Sequence, residues 1–324
     1  MKPSKRGRHP APPREPPILG IALGSGSARG WAHIGVLRAL AELGIAPQIV
    51  CGTSMGALVG AAYVAGNLEA LEQWALLLRR PGIFRLLDWR ISGRGLVQGS
   101  RLMELLGRYI PDVDVTALPR PFAAVATDLA SGREVWLREG RLQDVVRASI
   151  AVPGLFTPAQ QGQRWLVDGG LVNPVPVSLC RALGAQVVIG VNPFGDRLSR
   201  LNARNGEGLE ALREAEPDFE AGLEPGQAAA PWRRRLRLPL RRHAPAHPPE
   251  NKGPSMIEVI VGALNVMQDR ITRSRMAGDP PDVLLAPRMS HISLLEFDRA
   301  EEAIAEGRAC VQRMLPALQE VVGL

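Results

Sequence analysis

The chain twice runs a strand, a glycine-rich turn and a helix in direct succession. "ILGIALG" (18–24) is an apolar run of strand length, and "LGSGSARG" (23–30) is the turn that follows it. "ARGWAHIGVLRALAELG" (28–44) then carries apolar residues at helical spacing up to Gly44, a helix-ending glycine. "QIVCG" (48–52) leads in the same way through "GTSMG" into "MGALVGAAYVAG" (55–66), which is small and apolar all round and so reads as a buried helix. Strands alternating with helices predict an α/β fold in three layers, α/β/α, around a mostly parallel central sheet. Further strands are expected around the "SG" turn of 122–140, at 165–167, 187–192 and 282–287. Helices are expected at 67–80 (with Asn67 as N-cap and Pro81 as the stop), 100–110, 255–278 and 297–315.

Of the 324 residues 46% are hydrophobic and only 4% aromatic, so a large core is available and is built from Ala, Val, Leu and Ile. Two stretches do not fit it. Residues 1–17 hold six prolines and five Lys/Arg, and 197–250 carry seven acids between Glu207 and Glu224, then six arginines within 231–249. Both are expected to be disordered, a tail and an insertion, leaving 18–196 and 251–324 as the two parts of one domain. The net charge of +7 concentrates in these two stretches, which admits a polyanionic partner. One reading is peripheral contact with an anionic membrane through 1–17 and 231–242, with Trp232, Leu236, Leu238 and Leu240 as apolar anchors. The other is a solvated loop without a partner. No nucleic-acid-binding motif is present, so nucleic acid is not expected. Three dispersed cysteines support neither a disulfide framework nor a zinc site, and no signal peptide or membrane span is read. A cytoplasmic protein without metal or cofactor is therefore expected.

The chemistry lies in the turns. A glycine-rich strand-to-helix turn offers free N–H groups to negative charge, either a dinucleotide pyrophosphate or a reaction oxyanion. The spacing of Gly24, Gly26 and Gly30 is one residue too long for the dinucleotide fingerprint, and the next strand ends at Val50-Cys51 without the required acid. In "GTSMG", Gly52 and Gly56 flank Ser54 between strand and helix, the context of a nucleophile elbow, whose bland alternative is a helix cap made by Ser54. A serine nucleophile needs a base. Of the five histidines, His9, His243 and His247 lie in the two aberrant stretches and His33 reads as a packing residue. His291 is the triad candidate by chain order. "WLVDGG" offers Asp168 instead, presented without Cβ crowding before Gly169 and Gly170, or else an Asx-turn residue.

"GSGSARG", "GTSMG" and "DGG" in this order, with "WAHIGVLRAL", "VATDLASG", "RASIAVPGLFTP" and "DGGLVNPVPV", resemble the patatin-like phospholipases, bacterial and neuropathy-target-esterase-type serine hydrolases. The resemblance covers 18–196 and more loosely 255–315. It implies a patatin-like fold, a Ser54–Asp168 dyad with Asp168 as proton acceptor, and an oxyanion hole formed by Gly26, Ser27, Ala28 and Arg29. Where the family loop reads GGGxRG, this chain has Ser25 and Ser27, a change that keeps the backbone donors as long as Ser27 does not need a positive φ. The function implied is hydrolysis of a lipid ester, with release of fatty acid and no cofactor. The alternative is a catalytically silent protein that keeps the fold for binding or regulation.

Overall fold

The first two strands, β1 (Leu19–Leu23) and β2 (Ile49–Thr53), are buried along their whole length, as unbroken apolar runs require in a sheet covered on both faces. The computed structural model describes residues 16–79, 89–92, 95–97, 103–104, 106–196 and 256–323. The expectations for 1–15, for 197–255 and for the start of the 100–110 helix fall outside these residues. β1 is followed by a 3-10 turn (Ser27–Trp31) and α1 (Ala32–Glu42); β2 runs directly into α2 (Met55–Val64) and α3 (Leu68–Leu77). The single helix expected over 28–44 is thus split, because its first turn belongs to the glycine loop. Asn67 does not cap α3 with its side chain. Its Nδ2 donates to Tyr109 O at 3.0 Å instead, tying the helix start to the 106–110 segment.

A small antiparallel pair, β3 (Trp89–Ser92) and β4 (Gly95–Val97), stands apart from the main sheet. The chain continues through β5 (Phe122–Asp128), β6 (Glu134–Leu137), α4 (Leu142–Ser149), β7 (Ala159–Gln161), β8 (Arg164–Asp168), α5 (Val177–Ala182) and β9 (Val187–Val191). It closes with α6 (Met256–Gly278), β10 (Val283–Leu285), α7 (Ala300–Arg313) and α8 (Leu315–Val322).

The main sheet runs β10-β9-β1-β2-β5-β8-β7, with β6 also paired to β5. The run from β10 to β5 is parallel, and β6, β8 and β7 are antiparallel additions. Side chains alternate across it. Ile21, Leu23, Val50, Ala124 and Ile189 join the larger core under α1, α2, α3 and α7, while Ala22, Cys51, Ala123, Val125 and Val188 join a smaller one under α5. That is the expected three-layer α/β/α arrangement.

The register of β5 positions the site. Ala124 and Val125 pair with both β2 and β6, so these two lie on opposite edges of β5. Ala126 and Thr127 pair with both β6 and β8, so β8 shares the edge of β2. β8 takes over where β2 stops: Thr53 faces Val125, and Asp168 faces the next residue, Ala126. The end of one strand therefore meets the end of the other.

Candidate active site

Ser54 stands in the sharp turn between β2 and α2, at φ 56° and ψ −122°. A non-glycine residue at positive φ is strained by roughly 1–3 kcal/mol and persists only where its surroundings enforce it. Here Ser54 N–H donates to Ser149 Oγ at 3.0 Å, and Ser149 Oγ donates to Val125 O at 2.7 Å. Thr53 Oγ1 donates to Asn173 O at 2.9 Å. The flanking glycines are steric necessities: a Cβ on Gly52 would stand 2.5 Å from Ala57 N, and one on Gly56 2.0 Å from Leu23 O. Ser54 makes no side-chain capping bond to α2, so its hydroxyl is not used as a helix cap.

Asp168 ends β8 and is 1% exposed. Its backbone is held on both sides, by Asp168 N–H to Ala151 O at 2.9 Å and by Thr127 Oγ1 donating to Asp168 O at 2.8 Å. One carboxylate oxygen, Oδ1, accepts from Gly170 N–H at 2.7 Å. The other, Oδ2, is buried and has no hydrogen-bond partner. Burial pushes the carboxyl up to about 6, against the pull of the nearby Ser54 hydroxyl and the Gly170 amide. Ser54 is thus close enough to favour the ionised form, while the serine–carboxylate bond itself is not closed, as is common for such pairs in the absence of substrate. Gly169 and Gly170 are required by space and not by φ. A Cβ would stand 2.2 Å from Val125 O at the first and 2.4 Å from Gln268 Nε2 at the second.

The glycine loop packs directly on this elbow, since a Cβ on Gly30 would stand 2.4 Å from Met55 Cβ. Its amides divide into two sets. Ala28 N–H donates to Leu294 O at 3.0 Å and Arg29 N–H to Gly26 O at 3.1 Å. Gly26 and Ser27 keep N–H groups that no hydrogen bond among the described residues takes up. Of the four residues that the resemblance names, Ala28 and Arg29 thus have their amides bonded within the fold, and Gly26 and Ser27 do not. Ser27 lies at φ 48°, so the condition that it avoid positive φ is not met. The conformation is held by its own hydroxyl, which donates to Leu294 O at 2.6 Å. Arg29 is buried and its Nε donates to Ile292 O at 2.7 Å, fixing the loop to the 292–294 segment.

Two histidines, His33 and His291, fall among the described residues. His291 is on the surface, its Nε2 2.5 Å from Glu302 Oε1. His33 is buried, donates through Nε2 to Gly24 O at 2.7 Å, and is pushed down to about 4 by that burial. It is a neutral support under the loop. Sequence reasoning missed Ser149, Asn173, Leu294 and Gln268, whose roles depend on partners 95 to 267 residues away. Among the described residues no group of three His, Cys, Asp or Glu could hold a metal ion.

An "Uncharacterized NTE family protein" of Mycobacterium bovis is 34% identical, over 94% of this chain and 92% of that protein. The Patatin-like phospholipase family matches residues 21–181. The chain belongs to the patatin-like phospholipase family. A Mycobacterium tuberculosis NTE family protein matches this chain to the same extent. Mouse patatin-like phospholipase domain-containing protein 6 is 30% identical over 56% of this chain and 14% of its own. Among solved structures, VipD from Legionella pneumophila superposes with a TM-score of 0.34 at 15% identity, covering 62% of this chain and 55% of that one.

Proposed function

We propose that this member of the patatin-like family is a serine acyl hydrolase of lipid esters that works through a Ser54–Asp168 dyad. The observation that carries the reading is the buried, unpartnered Asp168 Oδ2 beside a strained serine whose hydroxyl is not a helix cap. Ser54 Oγ attacks the ester carbonyl while its proton passes to Asp168. The oxyanion takes hydrogen bonds from the Gly26 and Ser27 amides, each worth about 3 kcal/mol to the transition state. As the tetrahedral intermediate collapses, Asp168 returns the proton to the leaving alcohol. Water, deprotonated by the same carboxylate, then attacks the acyl-serine; Ser54 recovers its proton and fatty acid leaves. A silent binding protein would have no need to hold Ser54 under strain.

On this reading the enzyme is cytoplasmic and meets its substrate at an anionic membrane face through 1–17 and 231–242. Vesicle binding that deletion of 205–250 does not weaken at low salt would remove that part. The dyad is tested by hydrolysis of a soluble short-chain ester. Ser54→Ala and Asp168→Asn should each lose at least about 10³-fold in kcat, and His291→Ala should keep most of it. Activity lost in His291→Ala and kept in Asp168→Asn would replace the dyad with a triad.

A further inference from the structure

Gln268 is a carboxamide buried on the inner side of α6, only 7% exposed, where an apolar residue would pack at lower cost. Its Oε1 accepts from Ser25 Oγ at 3.1 Å. Its Nε2 lies against Gly170, where a Cβ would stand 2.4 Å from Nε2 and 2.9 Å from Asp168 Oδ1. No acceptor among the described residues takes Nε2. One side chain therefore touches both the loop that carries the free Gly26 and Ser27 amides and the turn that carries Asp168. Around it the other contacts are fixed. Ser25 N–H donates to Pro174 O at 2.8 Å and Gly24 N–H to Val191 O at 2.9 Å. Thr272 Oγ1 donates to Gln268 O at 2.7 Å, a bond internal to α6.

We infer that Gln268 is a positioning residue that keeps the oxyanion loop in register with the Asp168 turn, an inference that rests on the acyl-hydrolase reading for its chemical consequence. Donor and base must act on the same reacting centre. The loop follows β1 and the turn follows β8, and these strands are separated in the sheet by β2 and β5. Sheet register and the Ser25 N–H to Pro174 O bond set the two ends at the level of the backbone, and Gln268 is the side chain that touches both. A misplacement of about 1 Å between such groups costs up to about 10²-fold in rate. Gln268 makes that link from a third segment, with Oε1 on Ser25 and Nε2 packed against Gly170.

Two variants test this. Gln268→Met keeps length and volume and removes both polar ends; kcat for a soluble ester should fall roughly 10- to 100-fold with KM within about twofold. Gln268→Glu keeps the oxygen facing Ser25 and sets a like charge beside Asp168; the acid limb of kcat/KM should move up by about one unit. Met267→Gln, on the outer side of the same helix, should change neither. If both Gln268 variants fold with wild-type kcat and acid limb, or differ from wild type only in Tm, the inference is overturned. A wild-type protein without esterase activity would defeat the acyl-hydrolase reading instead. In that case 13C NMR titration of the Asp168 carboxyl in wild type and Gln268→Glu decides the coupling, and an unmoved titration overturns it.

Discussion

Among the described residues Ser27 and Ser54 are the non-glycine positions at positive φ, and both belong to the site. Strain at Ser27 is offset by the bond to Leu294 O, so two substitutions should separate the terms. Ser27→Ala keeps the strain and loses the bond, and should cost about 1 kcal/mol in chemical denaturation. Ser27→Gly loses the same bond but relieves the backbone, and should be close to neutral. Asp168 makes the complementary case. The folded carboxyl holds its proton up to about 6, whereas a free one loses it near 3.8. The folded state therefore loses stability as pH rises through that window, by at most about 3 kcal/mol. Asp168→Asn should raise Tm by a few degrees at pH 7, leave it unchanged at pH 3.5, and abolish turnover. With Asp168 as the proposed base, which must be ionised to act, wild-type kcat/KM should fall about tenfold per pH unit below about 6. The turns that carry Ser54 and Asp168 were legible in the sequence because glycines mark both. The φ of Ser27 was not, because the acceptor that holds it lies 267 residues away.

At the scale of elements, buried strands and all-apolar α2 followed from unbroken apolar runs, and their order gave the layered sheet. Short elements escaped. α4, which brings Ser149 under the elbow, has 8 residues, and α5 has 6, too few to display a helical period clearly. The crossing of α1 and α7 was also hidden. Gly35 and Gly307 let the two backbones touch: a Cβ on Gly35 would stand 1.9 Å from Ile304 O, and one on Gly307 2.1 Å from Ala32 O. Neither glycine has an unusual φ, so only the close approach explains them. Gly307→Ala should destabilise by about 2 kcal/mol or more, read as a fall in denaturation midpoint, although an isolated helical Gly→Ala exchange would stabilise.

For the molecule as a whole, the arrangement is a division of labour between three chain segments. The first supplies the loop and Ser54, the second Asp168 and Ser149, and the segment from 256 onward supplies Gln268, Ile292 and Leu294, which fix the loop from outside. The residues after 256 are thus part of the site and not an appendage, a point that motif spacing could not reveal because none of them lies in a motif. On the proposed mechanism Ser54 is a nucleophile activated by Asp168. Treatment with a fluorophosphonate probe, followed by mass-spectrometric mapping, tests it most directly. A single adduct on Ser54 is expected, formed much more slowly in Asp168→Asn and at the wild-type rate in His291→Ala. Labelling at another residue, or labelling of Ser54 that is indifferent to Asp168→Asn, would contradict it.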